Sequence, residues 1–503
     1  MSHSRKHDTQ ANIWRPIHMI KNTSATSTNS RHLRWWITGT VVAVAGCVII
    51  ATVITWAVGR FTSSSDPTFI RGNWEPQPET VLTSPMGMRP VPGWRADASS
   101  LGLPGSSIIG TTDDAAWSMP LVGFVDKNGY FLASNPELPE RQHWLVGLDT
   151  HTGKPLFAPV KLDVAPRSPK CFLNGPETVL CLADEMREGK AESTAWVIDA
   201  RTGGVLFAGD TDLHTTPGTG VRIDQVGLYA VAEVPGRGIY GIGPHAETTW
   251  SIPGATKVSP TQWTADGTPS TLAVAKDPVS GPDRMVVFSL IDGKVMTPDL
   301  GGERVPQTAV VYPGGFAVEA TTTETTSTPD VVVFFDRMGN RVGETKASGF
   351  LGLLSMTLPM VQSSPSYTVF GSNGAGLIQL PGDGLGPGSV LIGHRVYVPE
   401  STWEGPVKVR QWRQFDLATG REATACRSNL SHYVANDGRV GVFETDRSEV
   451  TGATTFAIDL STCEKLWTMP ANPDSYHRLW RIGDTLVELS DDGKELHSLV
   501  APQ

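Results

Sequence analysis

The chain is poor in the residues that usually announce chemistry. It has 5 cysteines in 503 residues, no two adjacent and none in a CxxC pair, which excludes a zinc site of ordinary thiolate spacing. No H-E-x-x-H, G-x-S-x-G or phosphate-loop string occurs, so the common metalloprotease, serine-hydrolase and nucleotide-binding signatures are missing. No Asp/Asn cluster has calcium-loop spacing. Charged residues make up only 18 %, and the eight histidines from His143 to His497 are scattered. Each of them reads as a surface or core residue rather than a ligand. Catalytic and metal residues are therefore assigned nowhere, no cofactor is expected, and no enzymatic activity is assigned.

Long apolar runs are missing as well, with one exception. Residues 35–59, WWITGTVVAVAGCVIIATVITWAVG, contain no charged side chain. At ~1.5 Å rise per residue a helix of this length crosses a ~30 Å hydrocarbon layer. Arg5, Lys6, Arg15, Lys21, Arg31 and Arg34 precede the run and Arg60 follows it, while Trp35, Trp36 and Trp56 stand where an interfacial belt would be. The expectation is a single-pass transmembrane helix at 35–59, a cytoplasmic disordered tail at 1–34, and everything beyond outside the cell membrane. A cleaved signal peptide ending near Ala57-Val58-Gly59 is the rival reading. The first 60 residues carry a balance of +6 within a chain of net charge -10, so the exterior part is acidic. That opposes binding to phosphate backbones, and no nucleic acid is expected as a partner.

Outside the apolar run four cysteines remain, permitting three pairings. Cys171 and Cys181 bracket a miniature hairpin, CFLNGPETVLC, which brings its ends together. Cys426 with Cys463 then follows by elimination, and both bridges suit an oxidising compartment.

What the chain has in quantity is glycine, 52, and proline, 37, punctuating short apolar runs along its length. Many short strands are implied. Two patterns recur. The first is a Trp strand: AAWSMP with Trp117, TTWSIP with Trp250 and KLWTMP with Trp467. The second is an apolar strand, a tight turn and another strand, with Asp149 and Gly153, Asp199 and Gly203, and Asp416 and Gly420 in the turns. Weaker copies surround Ser289 and Gly293, Asp336 and Gly339, and Asp459, where Cys463 takes the glycine place. An Asp at the start of such a turn accepts backbone N–H groups two residues on, and the Gly adopts positive φ without steric cost.

The spacing of these copies corresponds to a unit of about 44 residues, the size of a four-stranded propeller blade. Eight hairpins, near 128, 175, 227, 267, 314, 393, 438 and 484, predict an all-β, eight-bladed β-propeller over 111–503, with seven blades as the alternative. The long step before 393 predicts a Gly/Pro/Ser-rich insertion at about 345–388. The last unit runs out of strands, so AAWSMP is expected to supply the outer strand of the last blade and close the ring, with Trp117, Trp250 and Trp467 as blade-packing residues. Residues 60–110 are expected to be a partly ordered extracytoplasmic linker.

The pattern apolar-x-Asp-x-x-Thr-Gly-Lys/Arg, carried by Asp149, Thr152, Gly153 and Lys154, by Asp199, Thr202 and Gly203, and by Asp416, Thr419, Gly420 and Arg421, resembles the repeat of the PQQ-like (quinoprotein alcohol dehydrogenase-like) β-propellers. The resemblance covers about 110–503. It implies a propeller, but the enzymes of that family hold pyrroloquinoline quinone with a calcium ion and often a disulfide between adjacent cysteines, which this chain lacks, whereas relatives without these residues act as scaffolds. The expected function is a membrane-anchored, non-enzymatic scaffold for an envelope protein or polymer. The alternative is a quinone-dependent dehydrogenase or a small-ligand sensor using the central channel.

Overall fold

A computed structural model of the chain describes residues 68–69, 74–76, 78–110, 120–135, 142–163, 168–187, 190–215, 221–254, 256–258, 271–277, 284–322, 331–346, 349–355, 357–363, 366–381, 389–404, 407–445, 454–470 and 479–503. The tail 1–34, the span expected at 35–59 and Trp117 lie outside these residues.

The described chain is all-β and forms nine antiparallel sheets, numbered here as blades in chain order. Blade 2 shows the plan: Lys170–Leu173, Thr178–Arg187, Lys190–Asp199 and Val205–Thr211 pair in sequence as a meander. Burial follows position in the meander. The second and third strands of blade 5, Gly315–Thr321 (GFAVEAT) and Val331–Asp336 (VVVFFD), are buried along nearly their whole length, because neighbouring blades cover both faces of the sheet. The second of them is accordingly a continuous apolar run up to Asp336, and the first is apolar apart from the buried Glu319 and Thr321. Fourth strands are half exposed, as in Val205–Thr211.

Nine apolar clusters lie between the nine sheets. One joins blades 1 and 2 through Tyr130, Leu145, Val179 and Trp196. Another joins blades 5 and 6 through Phe334, Val361 and Phe370. The ninth packs Trp480, Ile482 and Val487 of blade 9 against Phe131, Trp144 and Leu148 of blade 1. The last sheet therefore packs on the first, and the propeller is a closed ring.

The blade count corrects the expected eight. Residues predicted to be an insertion form blade 6, with strands Phe350–Leu354, Leu358–Ser363, Ser366–Phe370 and Gly376–Pro381. Blade 6 escaped notice because its last turn, Gly371-Ser372-Asn373-Gly374, has no leading Asp. The free edge of its fourth strand also accepts an extra strand, Thr68–Phe69.

The closing strand is corrected too. The fourth strand of blade 9 is Val91–Asp97, paired with Glu495–Val500, so Trp94 occupies the place expected for Trp117. Residues 66–110 belong to the same compact unit as the ring.

Candidate functional site at the ring closure

The turns between third and fourth strands are built from their leading carboxylates. Asp199 Oδ1 accepts the N–H groups of Arg201 at 3.0 Å and Thr202 at 2.8 Å, and Gly203 N donates to Asp199 O at 2.9 Å. The bonds to the carboxylate, those from Thr202 foremost, hold the Asp199 carboxyl below the usual carboxylate range. Asp149, Asp336, Asp416 and Asp459 accept turn N–H groups in the same way.

The glycines serve neighbouring blades. Gly153 and Gly203 both have φ 69°, and a Cβ at Gly153 would lie 2.6 Å from the Trp94 ring of blade 9. Phe157 of blade 1 lies equally close over Gly203, and Trp250 of blade 3 over Gly293. An aromatic ring in one fourth strand thus rests on the next blade's turn, and glycine is what permits the approach. Trp467 is buried in the cluster between blades 8 and 9.

The two cysteine pairs are disulfides. Cys171 and Cys181 face each other across the first two strands of blade 2. Cys426 ends the fourth strand of blade 7 and reaches Cys463 in the blade 8 turn. This bridge stands where another blade pair has an aromatic ring on glycine.

The turns of blades 1, 2, 7 and 8 are also tied to the first hairpin of their own blade. Thr150 N donates to Lys127 O at 3.0 Å, Ala200 N to Glu177 O at 2.8 Å, Leu417 N to His394 O at 2.8 Å and Leu460 N to Arg439 O at 2.9 Å. Blade 9 has no continuous turn here, because its third strand comes from the C-terminus and its fourth from residues 91–97. Residues 82–86 take over the role. Thr83 N donates to Asp484 O at 3.0 Å, and Trp467 Nε1 donates to Met86 O at 2.7 Å. The second bond repeats that from Trp94 Nε1 to Thr150 O, also 2.7 Å.

The same segment clasps blades 8 and 9 together. Leu82 N donates to Asn436 O at 2.7 Å, Met86 N to Asp437 Oδ2 at 2.6 Å, Ala501 N to Ser84 Oγ at 2.8 Å and Arg481 Nη1 to Thr80 O at 2.9 Å. Asn436 Nδ2 bonds Glu79. Burial raises the Glu79 carboxyl above its ordinary range against the opposing pull of Asn436, Arg481 and His394.

Between this clasp, blade 9 and blade 1 lies a cavity of about 260 Å³, whose lining includes Thr83, Ser84, Trp94, His151, Asp484 and Ser498. His151 Nε2 is 2.5 Å from Asp484 Oδ1. Hydroxyls, the His151–Asp484 hydrogen bond and an indole share this lining with the aliphatic side chains of Leu82, Met86, Leu486, Leu499 and Val500. Among the described residues no group of three or more His, Cys, Asp or Glu is placed to hold a metal ion. Sequence reasoning missed Glu79, Thr83 and Met86, which fall in a stretch without repeat spacing, and placed Trp94 in a partly ordered linker rather than in a blade. The usable signal was Trp94 in PVPGWRAD, a tryptophan with no turn of its own.

Comparison with known proteins fits this geometry. The family model described as "Conjugation-associated 9-bladed beta-propeller domain" matches residues 66–502. An uncharacterized protein of Mycolicibacterium smegmatis (strain MKD8) is 59 % identical over 463 residues, covering 92 % of this chain and 95 % of its own. Similar solved structures include quinohemoprotein alcohol dehydrogenase from Comamonas testosteroni, at 11 % identity, 86 % and 82 % coverage and TM-score 0.33. A eukaryotic initiation factor matches at 10 % identity, 70 % and 88 % coverage and TM-score 0.39. The computationally designed Ika8 protein matches at 13 % identity, 63 % and 95 % coverage and TM-score 0.31.

Proposed function

Because this chain belongs to the conjugation-associated nine-bladed β-propeller family, we propose that it is a docking platform of a conjugation apparatus, tethered outside the membrane by residues 35–59. The match over 66–502 carries the reading, since it takes in the whole ring and its clasp rather than one catalytic fragment. The platform holds an envelope protein or polymer and performs no chemistry of its own. Two disulfides suit an oxidising compartment, and the basic residues before the apolar run favour a cytoplasmic N-terminus. The repeat's likeness to PQQ-like propellers is, in this reading, a likeness of blade construction.

The test is transfer frequency from a donor strain lacking the gene. Full-length protein should restore transfer, and a version secreted without residues 1–59 should not. Undiminished transfer from the deletion strain would refute the proposal. The competing reading, a quinone enzyme or small-ligand sensor, is tested by thermal shift of the full chain with pyrroloquinoline quinone and calcium. A ligand at a hundred times its Kd adds about 2.7 kcal/mol, and a shift of that size would displace the platform reading.

A further inference from the structure

The second strand of blade 5, Gly315–Thr321, carries one charged residue, Glu319, in a stretch buried from end to end. Its side chain points at blade 6, as that of the alternate residue Ala317 does, and is 3 % exposed. Bonds from the Leu351 N–H and the Thr308 hydroxyl reach the carboxyl, yet Oε1 has no partner among the described residues. Protonation does not remove the difficulty, because a hydrogen on Oε1 would find no acceptor there. Among the described residues no cationic side chain stands beside it either. A buried carboxylate is ordinarily paired with a cation or bound to a metal. The fold does not require a carboxyl here, since blades 1, 2 and 7 place Leu132, Leu182 and Pro399 at the same step, four residues beyond the partner of the turn Asp.

The first strand of blade 5 is interrupted at the same height. Val318 pairs with Ala309 and Ala320 with Pro306, so Gln307 and Thr308 together oppose Glu319 in a β-bulge. Both are half-buried, and the bulge is thus the side on which an ion can enter. Gln307 Nε2 donates to Thr321 Oγ1 at 3.3 Å, leaving its amide oxygen as an acceptor. Thr308, having donated its proton to Glu319, keeps oxygen lone pairs to give. The acceptors gathered here are all oxygens, and one carboxylate among neutral groups would not register as a cluster of acidic ligands. We infer that Glu319 and the Gln307–Thr308 bulge hold a hard metal cation, Ca²⁺ or Na⁺, between the first strands of blades 5 and 6. With a single carboxylate the site is weak, with a Kd of about 1 mM for Ca²⁺. The ion supplies the missing counter-charge and ties the bulge of blade 5 to the strand of Leu351 in blade 6. The site is independent of the docking role proposed above.

The test follows urea unfolding of the full chain at pH 8 in CaCl2, in NaCl and in choline chloride of equal ionic strength, with equilibrium dialysis of radioactive Ca²⁺ alongside. Ca²⁺ at about ten times its Kd should raise the folding equilibrium constant roughly tenfold, and Glu319→Gln should cut that gain to below about twofold. Thr308→Val keeps the carboxyl and should weaken dialysed Ca²⁺ binding about threefold or more, which gives a second reading if Glu319→Gln does not fold. An equal gain in wild type and Glu319→Gln would place the ion elsewhere on the acidic exterior and overturn the inference. No gain in either metal salt would overturn it as well, with water alone meeting Oε1. A gain confined to NaCl and lost in Glu319→Gln would support the site with Na⁺ as its ion.

Discussion

The junction of blades 9 and 1 and the junction of blades 7 and 8 meet the same need by different means. At the first, Trp94 lies on Gly153 and bonds Thr150 O. At the second, Thr424 takes the aromatic place, Cys463 takes the glycine place, and a disulfide from Cys426 spans Cα atoms 5.0 Å apart. The covalent solution requires Cys463 to hold φ 61°, a conformation that costs a non-glycine residue about 1 kcal/mol or more. A ring must fix neighbouring blades to each other near these turns, and either an aromatic contact or a bond suffices. The seam joins opposite ends of the chain with the same aromatic contact that Phe157 makes over Gly203 between blades 1 and 2.

The comparison breaks most severely at Trp94. Trp94→Ala empties the space over Gly153 and removes the bond to Thr150, and should cost about 3–5 kcal/mol. In urea unfolding the midpoint should fall, and limited proteolysis should release the segment before 97. Trp250→Ala should destabilise comparably while leaving that segment protected. If Trp94→Ala unfolds like wild type, the seam is held by other contacts.

Removing the bridge comes next. Cys426→Ser with Cys463→Ala should lose about 2–4 kcal/mol. Cys426→Ser with Cys463→Gly should recover about 1 kcal/mol of that, because glycine restores the residue this turn uses elsewhere. Equal midpoints for the two pairs would show that Cys463 is not strained.

These two junctions also show what the sequence made legible. Asp-x-x-x-Gly turns betray their blades because a carboxylate accepting turn N–H groups and a glycine under a ring are demanded locally. Cys171 and Cys181 were readable for the same reason, since ten residues of hairpin align them. Blade 6 was hidden because its turn meets the geometry with Gly371 and Gly374 and no Asp, so a strand-rich stretch passed for an insertion. The clasp was hidden for another reason. Thr83 and Met86 act through backbone N–H and C=O groups, which every residue carries, and no side-chain pattern records that choice. His151 and Asp484 are brought together across 333 positions by closure alone.

The junction of blades 5 and 6 sharpens the comparison through pH. Glu319 is 3 % exposed, and its Oε1 has no partner among the described residues. Burial pushes its carboxyl up to about 7, opposed by Leu351 N–H and the Thr308 hydroxyl. The folded state therefore holds this proton more tightly than the unfolded chain does. The resulting stability is fully present below about pH 4.5, falls as pH rises, and is lost through pH 7. At ~1.4 kcal/mol per unit this amounts to up to about 3 kcal/mol. Urea midpoints of wild type should drop between pH 5 and pH 8, and Glu319→Gln should remove most of that drop. An unchanged slope would place the pH sensitivity elsewhere.

The smallest effect is expected where the seam looks most ionic. His151 and Asp484 form a close pair, but their side chains are 45 % and 27 % exposed, so water and salt screen the attraction and each side chain loses freedom in making it. His151→Gln should cost less than about 1 kcal/mol. Thr83→Pro, which removes the N–H that bonds Asp484 O, should cost about 1–3 kcal/mol. The seam would then be held by backbone bonds and an indole rather than by charge. If His151→Gln proves the more damaging of the two, the ion pair is the true lock and the turn-like role of residues 82–86 is incidental.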